Sequence, residues 1–398
     1  MQTQGVTMEN VVITAAKRTP VASFQGAFSQ IPAPQLGAKA IRAALVQSKL
    51  NPNDVDEVIM GEVLTAGVGQ APARQAALLA GLSNSTPCMT INKVCGSGLK
   101  SIMLAADSIQ LGHSKIAVAG GQENMSLAPH LLENSRTGYR MGSTQILDSM
   151  IKDGLWDPYN NWHMGNAAEL CVSEYKFTRQ EQDDFAINSY KKAISAQEKN
   201  YFEQEICPVE IQDRKGTIIV QKDEEPVKVL FDKIPSLKPA FDKNGTITAA
   251  NASKINDGAA AMVLMSETSA KEKNITPLCK IRSSATFAHD PKWFTTAPVG
   301  AIKKALELAN LKISDIDLWE INEAFSVVAQ VAIKQLEIPS EKVNIHGGAV
   351  AIGHPIGASG ARILTTLIYA LKTHNKRYGL ATLCIGGGEA VALIIENV

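Results

Sequence analysis

The chain repeats itself, and the repeat constrains its fold more than any other feature. Ala40-Ile41-Arg42-Ala43-Ala44-Leu45 reappears as Ala301-Ile302-Lys303-Lys304-Ala305-Leu306. Downstream, Leu50 matches Leu311, Asp54 matches Asp315 and Asp56 matches Asp317, all at one shift of 261 positions (Ala40 to Ala301). The matched stretches have apolar residues at helical spacing. After the aspartates each copy enters a short strand-like run, 57–60 and 318–321. Further on, Ser97-Gly98 and Ser359-Gly360 each open a helix-like run, with Lys100 matching Arg362. Segments 116–121 and 380–387 are apolar strands ending in glycines. Three echoes in the same order argue for two related halves. Each half alternates helices with apolar strands, the pattern of an α/β sheet with helices on its faces.

Between the halves the texture changes. Residues 178–199 form an Asn-, Gln- and Lys-rich helical stretch, and Arg214 to Lys228 reads as a charged hairpin. We read 122–250 as an insertion over the site, because long segments outside a scaffold are often functional. The expected division is 8–121 for the first part of the N-terminal half, 122–250 for the inserted loop domain, a return to the N-terminal half near 251–272, and 273–398 for the C-terminal half. The first strand-like run follows Met8, so the residues ahead of it read as a tail.

Composition serves mainly to exclude. The 398 residues are 45% hydrophobic, enough for a large core in two or three domains. Lys+Arg and Asp+Glu both total 39, and a zero balance argues against nucleic acid as a partner. There is no apolar run long enough for a membrane span, and the start lacks signal and transit patterns. A cytoplasmic protein is expected. Six cysteines (Cys88, Cys95, Cys171, Cys207, Cys279 and Cys384) form no C-x-x-C pair and no zinc spacing with histidine. They are expected to be reduced.

Four segments carry chemistry. In Asn92-Lys93-Val94-Cys95-Gly96-Ser97-Gly98, Cys95 falls at a strand-to-helix turn. Helix N-termini favour thiolates, and the flanking glycines are expected to admit substrate and free a backbone N–H for an oxyanion. The bland alternative is a buried cysteine before a helix. Segment 344–360 places His346 and His354 in a glycine-dense loop entering a helix. His354, at the turn, is the better base, and His346 reads as structural. The loop meets neither the Rossmann nor the Walker A pattern. Cys384 ends an apolar strand before Gly386-Gly387-Gly388, where open α/β sheets bind ligands. Asn322 follows a strand and reads either as a water or carbonyl ligand or as a helix N-cap.

Together these segments resemble the thiolase family, biosynthetic type, across essentially the whole chain. Val94-Cys95-Gly96-Ser97-Gly98, Asn322-Glu323-Ala324-Phe325, Gly353-His354-Pro355 and Cys384-Ile385-Gly386-Gly387-Gly388 carry the resemblance. Gly69-Gln70-Ala71-Pro72-Ala73-Arg74-Gln75 and Asn251-Ala252-Ser253-Lys254-Ile255-Asn256-Asp257-Gly258 also match, with Lys254 at a variable place. The resemblance implies two fused α/β halves in five layers, α-β-α-β-α, with a loop domain over coenzyme A, assembled as a dimer or, as expected here, a homotetramer. It implies acetyl transfer between acetyl-CoA molecules through Cys95, with His354 as its base and Cys384 as the acid/base for the second substrate. Asn322 would hold a water, and the N–H groups of Cys95 and Gly386 would hold the oxyanion. Coenzyme A contacts map to Tyr190, Lys228, Lys233 and Ser253; a solvated charged loop is the rival reading for the lysines. His163 and Met164 map to the acyl pocket, which Phe294 should close. A potassium site maps to Tyr190, Ala249, Ala250, Ala252 and Val350. A decarboxylating ketoacyl synthase is the rival enzyme, but Cys384 and the Gly353-His354-Pro355 setting favour a thiolase. A non-catalytic acyl-CoA-binding relative is the rival without chemistry.

Overall fold

The structure, a computed structural model, describes residues 9–213 and 216–398. Met8 and Arg214, which bounded two of the expected segments, lie outside the described residues.

The repeated helices begin and end by the same local rules. Ala33–Ser48 has proline in its first turn and stops at Lys49 in the left-handed region (φ 56°). Ala297–Ala309 likewise starts with Pro298 and stops at Asn310 (φ 53°). Proline is pre-set for a first turn, and a left-handed residue closes the last one.

The strands repeat the same order. In the first half it is Cys88–Ile91, Glu57–Gly61, Ile116–Asn124, Asn256–Ser266, Val11–Arg18. In the second it is Leu318–Ile321, Tyr378–Ile385, Glu389–Asn397, Cys279–Ala288, with Val343 bridging the outer side of Trp319. Glu57–Gly61 runs parallel to both neighbours and Leu318–Ile321 runs parallel to Tyr378–Ile385, while the inner pairs are antiparallel. The halves meet where Val11–Arg18 pairs with Cys279–Ala288 through Val12↔Lys280 and Ile13↔Cys279. That short seam joins the two halves into one hydrogen-bonded sheet.

Three helical layers alternate with the sheet halves. Leu36 and Ile41 pack on Val58, Met60 and Val118. Ile302 and Leu306 pack on Trp319, Leu380 and Ile394. Between the halves lie Ser97–Gln110 and Ser359–Thr373, with Leu99, Ile102, Ile363 and Leu367 facing both. Every residue from Ser359 to Leu371 is buried, as a helix enclosed on all sides requires. The five-layer α-β-α-β-α arrangement follows.

The Ser-Gly echo marks where the central helices cross. A Cβ on Gly98 would stand 2.9 Å from the Ala361 nitrogen, and one on Gly360 would stand 2.2 Å from the Leu99 nitrogen. Backbone meets backbone there, so nothing soft can yield. Gly360→Ala is expected to cost ~1–3 kcal/mol by overpacking. The urea midpoint measures it, and an unchanged midpoint would show that the crossing relaxes.

The strand Ile116–Asn124 runs past the expected boundary at 121, and the sheet resumes at Asn256. The intervening segment supplies Met164–Tyr175 and Arg179–Glu198, the latter opened by a Thr178/Glu181 capping box. It also forms the hairpin Val209–Asp213 with Gly216–Val220. Buried Arg18 ties it to the first strand through Glu205 (2.5 Å) and Asp223 (2.7 Å). No helix among the described residues is long and apolar enough to cross a membrane.

Candidate active site

The turn carrying Cys95 is over-determined. Asn92 Oδ1 accepts from the Val94 N–H (2.9 Å). Ser97 Oγ accepts from the Lys93 N–H (2.8 Å) and donates to the Val94 carbonyl (2.7 Å). These bonds hold Val94 at φ 45°. A β-branched residue in that region is a genuine outlier, and such strain persists only where surroundings impose it. Cys95 is thereby projected from a sharp bend ahead of Ser97–Gln110.

Two expectations about this turn are corrected. The flanking glycines serve packing rather than substrate access: a Cβ on Gly96 would lie 2.4 Å from Ile385 Cδ1, and Gly98 abuts Gly357 and Ala361. The helix N-terminus does not hold Cys95 as a thiolate. Burial pushes the thiol up to about 11, although the backbone N–H groups of Gly386 and Cys95 pull the other way. Cys95 therefore needs a base.

His354 supplies one. Its N–H donates to Asn256 Oδ1 (2.9 Å), and its Nδ1 lies 2.5 Å from Ser359 Oγ. Ser359 spends its hydroxyl proton on the Pro355 carbonyl (2.9 Å). With the hydroxyl proton so placed, Nδ1 is the donor and Nε2 keeps its lone pair. Nε2 is buried without a protein partner among the described residues. Burial, then the Arg362 charge, pushes His354 down to about 3, so the ring is neutral. Glu123 fixes the following loop by accepting from Gly357 (2.7 Å), Val63 and Leu64.

Cys384 ends the strand Tyr378–Ile385, fully buried with Met164, Phe294 and Val327. Burial, then the neighbouring Cys95, pushes its thiol well above the ordinary range. Asn322 is not an N-cap, because the next helix starts at Ser326 after Phe325. Both side-chain polar atoms of Asn322 are buried without a protein partner among the described residues. Such atoms call for a water or a ligand.

Cys95, His354, Gly386, His163, Met164, Ser253, Phe294 and Phe325 line one cavity of about 50 Å³. A water needs about 10–15 Å³, so the space suits a few heavy atoms.

Profiles of the thiolase N-terminal and C-terminal domains match residues 11–268 and 275–397. The chain belongs to the thiolase family. It is 54% identical over 392 residues to the acetyl-CoA acetyltransferase of Cupriavidus necator, covering 98% of this chain and 100% of that one. It is 50% identical, at the same coverage, to a probable acetyl-CoA acyltransferase of Staphylococcus aureus. The crystal structure of the Bacillus anthracis acetyl-CoA acetyltransferase superposes with a TM-score of 0.96 at 42% identity, covering 98% of this chain and 99% of that one.

In this thiolase a second cavity of about 390 Å³ shares Ser253 with the first and is also lined by Ser23, Phe24, Lys228, Phe241 and Lys254. Two of the expected coenzyme A contacts, Lys228 and Ser253, thus fall together. The other two do not. Lys233 sits exposed on the turn Phe231–Ser236, and Tyr190 is buried with its ring toward Lys254. Val94 and Phe325 stood out only as members of matched motifs, Lys254 only as the variable place in its motif, and Ser359 only as part of the repeat. His346 lies elsewhere, stacked on Tyr201 and 3.1 Å from His374.

The potassium set does not fit as placed. The Lys254 ammonium already occupies the carbonyls of Ala249 (2.5 Å) and Ala252 (3.2 Å) and the face of Tyr190. Of the five expected ligands that leaves the Ala250 and Val350 carbonyls and the Tyr190 hydroxyl, too few for a cation that takes six or more oxygens in comparable hard-ion sites.

Proposed function

We propose that this thiolase is an acetyl-CoA C-acetyltransferase that reversibly condenses two acetyl-CoA molecules into acetoacetyl-CoA and CoA. One observation carries the reading: the half-buried Cys95 thiol shares a small cavity with Gly386 and with a neutral histidine whose Nε2 has no protein partner among the described residues. His354 Nε2 takes the Cys95 proton, and the thiolate attacks the acetyl carbonyl. The N–H groups of Cys95 and Gly386 hold the oxyanion. Cys384 protonates the departing CoA thiolate. The resulting Cys384 thiolate, a strong base because it is desolvated, removes an α-proton from the second acetyl-CoA. His354, now protonated, and a water on Asn322 stabilise the enolate oxygen. The carbanion attacks acetyl-Cys95, and the leaving thiolate regains its proton from His354. Lys228 and Ser253 hold the coenzyme A chain in the second cavity, and no step runs through potassium.

Several features suit a cytoplasmic homotetramer. Cys95 works as a thiol, and all six cysteines are unpaired, as a reducing compartment requires. Leu127, Leu132, Tyr139, Met141 and Ile146 expose an apolar arm, and Cys88–Ile91 is an edge strand, so both offer surfaces for further copies.

Loss of acetoacetyl-CoA absorbance on adding CoA tests the activity; no CoA-dependent loss would remove it. The same assay tests acyl length. Met164 and Phe294 wall the 50 Å³ cavity and are themselves buried. A straight C4 substrate is therefore expected to outrun C8 by tenfold or more in kcat/KM, about 1.4 kcal/mol. A flat or rising profile through C8 would show that these two side chains do not set the limit.

A further inference from the structure

The half-buried Lys254 side chain folds back against its own loop at the edge of the second cavity. Its ammonium donates to Ala249 O (2.5 Å) and Ala252 O (3.2 Å) and lies 5.5 Å from the centre of the Tyr190 ring. Carbonyl dipoles and a π-face replace the part of its hydration that the half-buried ammonium loses.

The loop it clamps reaches the acyl site. Ser253 donates to Ala324 O (2.9 Å) and lines both cavities. Asn251 ties the loop to Asp183 (2.9 Å) through its side chain, and its carbonyl accepts from Ser326 (2.8 Å). A cation that draws two carbonyls of this loop to one point stiffens the wall between the cavities.

We propose that Lys254 is a positioning residue whose ammonium acts as a built-in cation, fixing the 248–253 loop against Tyr190 and taking the place a free potassium ion would need. The inference rests on the acyl-CoA reading of the adjoining cavities. A second monovalent cation cannot share those carbonyls without facing the ammonium at close range.

The test compares potassium chloride with tetramethylammonium chloride at matched ionic strength. Wild-type kcat/KM for acetoacetyl-CoA, and its Tm, should be equal in the two salts. Lys254→Met removes the charge; in tetramethylammonium its KM should rise about tenfold with a smaller change in kcat, and potassium should reverse most of that rise. Potassium should also raise its Tm by about 3 °C. Lys254→Gly, which leaves the carbonyls open, is the second variant and should respond in the same way. The Tm arm needs no catalysis, so it reads the cation site even if acetoacetyl-CoA is not the substrate. Absence of thiolysis by wild type in either salt would count against the functional reading alone. A wild type that responds to potassium as the variants do, or variants whose Tm ignores potassium, would overturn the proposal.

Discussion

Cys95→Ala is expected to lower kcat by ~10⁴-fold or more, because the covalent route disappears with the nucleophile. No other cysteine is placed to substitute. Cys171, Cys207, Cys279 and Cys384 are buried, and burial raises the thiol of Cys88 as well. Of the six, only Cys95 lines the cavity that His354 also lines. Mass spectrometry after acetyl-CoA treatment should place a single acetyl group on the Cys95 peptide. An acetyl label that persists in Cys95→Ala would sink the assignment. The resting ionisation has a signature of its own. With the thiol pushed up to about 11 and His354 pushed down to about 3, the free enzyme holds a neutral pair, not a thiolate–imidazolium pair. The rate of Cys95 alkylation by iodoacetamide should keep climbing with pH beyond 9. A plateau reached by pH 7 would mean that the ion pair forms at rest.

Cys384→Ser should separate the two half-reactions. A serine hydroxyl is a far weaker acid than a thiol and yields almost no alkoxide at neutral pH. The CoA thiolate leaves well without much help, so acetylation of Cys95 should persist. Removal of the α-proton has no such escape and is expected to slow by ~10²–10⁴, the usual worth of a positioned base. Incorporation of deuterium from solvent into acetyl-CoA reads this step directly. Exchange at the wild-type rate in Cys384→Ser would show that another group takes the proton. The burial of Cys384 gives the physical reason for its strength: the thiolate is disfavoured there, so once formed it takes up a proton avidly.

Much of this was legible in the residue string, because it rests on local rules. Helical spacing, strand-ending glycines and the repeat at a shift of 261 (Ala40 to Ala301) determined two α/β halves. Cys95, His354 and Cys384 stood out because each sits where an apolar run meets glycines. Tertiary structure decided what those residues meet. Gly96 is small because Ile385 presses on it, and Gly360 because the Leu99 backbone does. Cys95 rests as a thiol because desolvation outweighs the helix end and its N–H donors. Asn322 turned out to be an unsatisfied polar group, not a cap. Lys233 stayed at the surface, while Lys254, marked in its motif only as a variable place, turned onto the Tyr190 ring. Periodicity and turn chemistry depend on a few adjacent residues. Burial and close contact depend on segments brought together from far along the chain, and these set charge state and ligand fit.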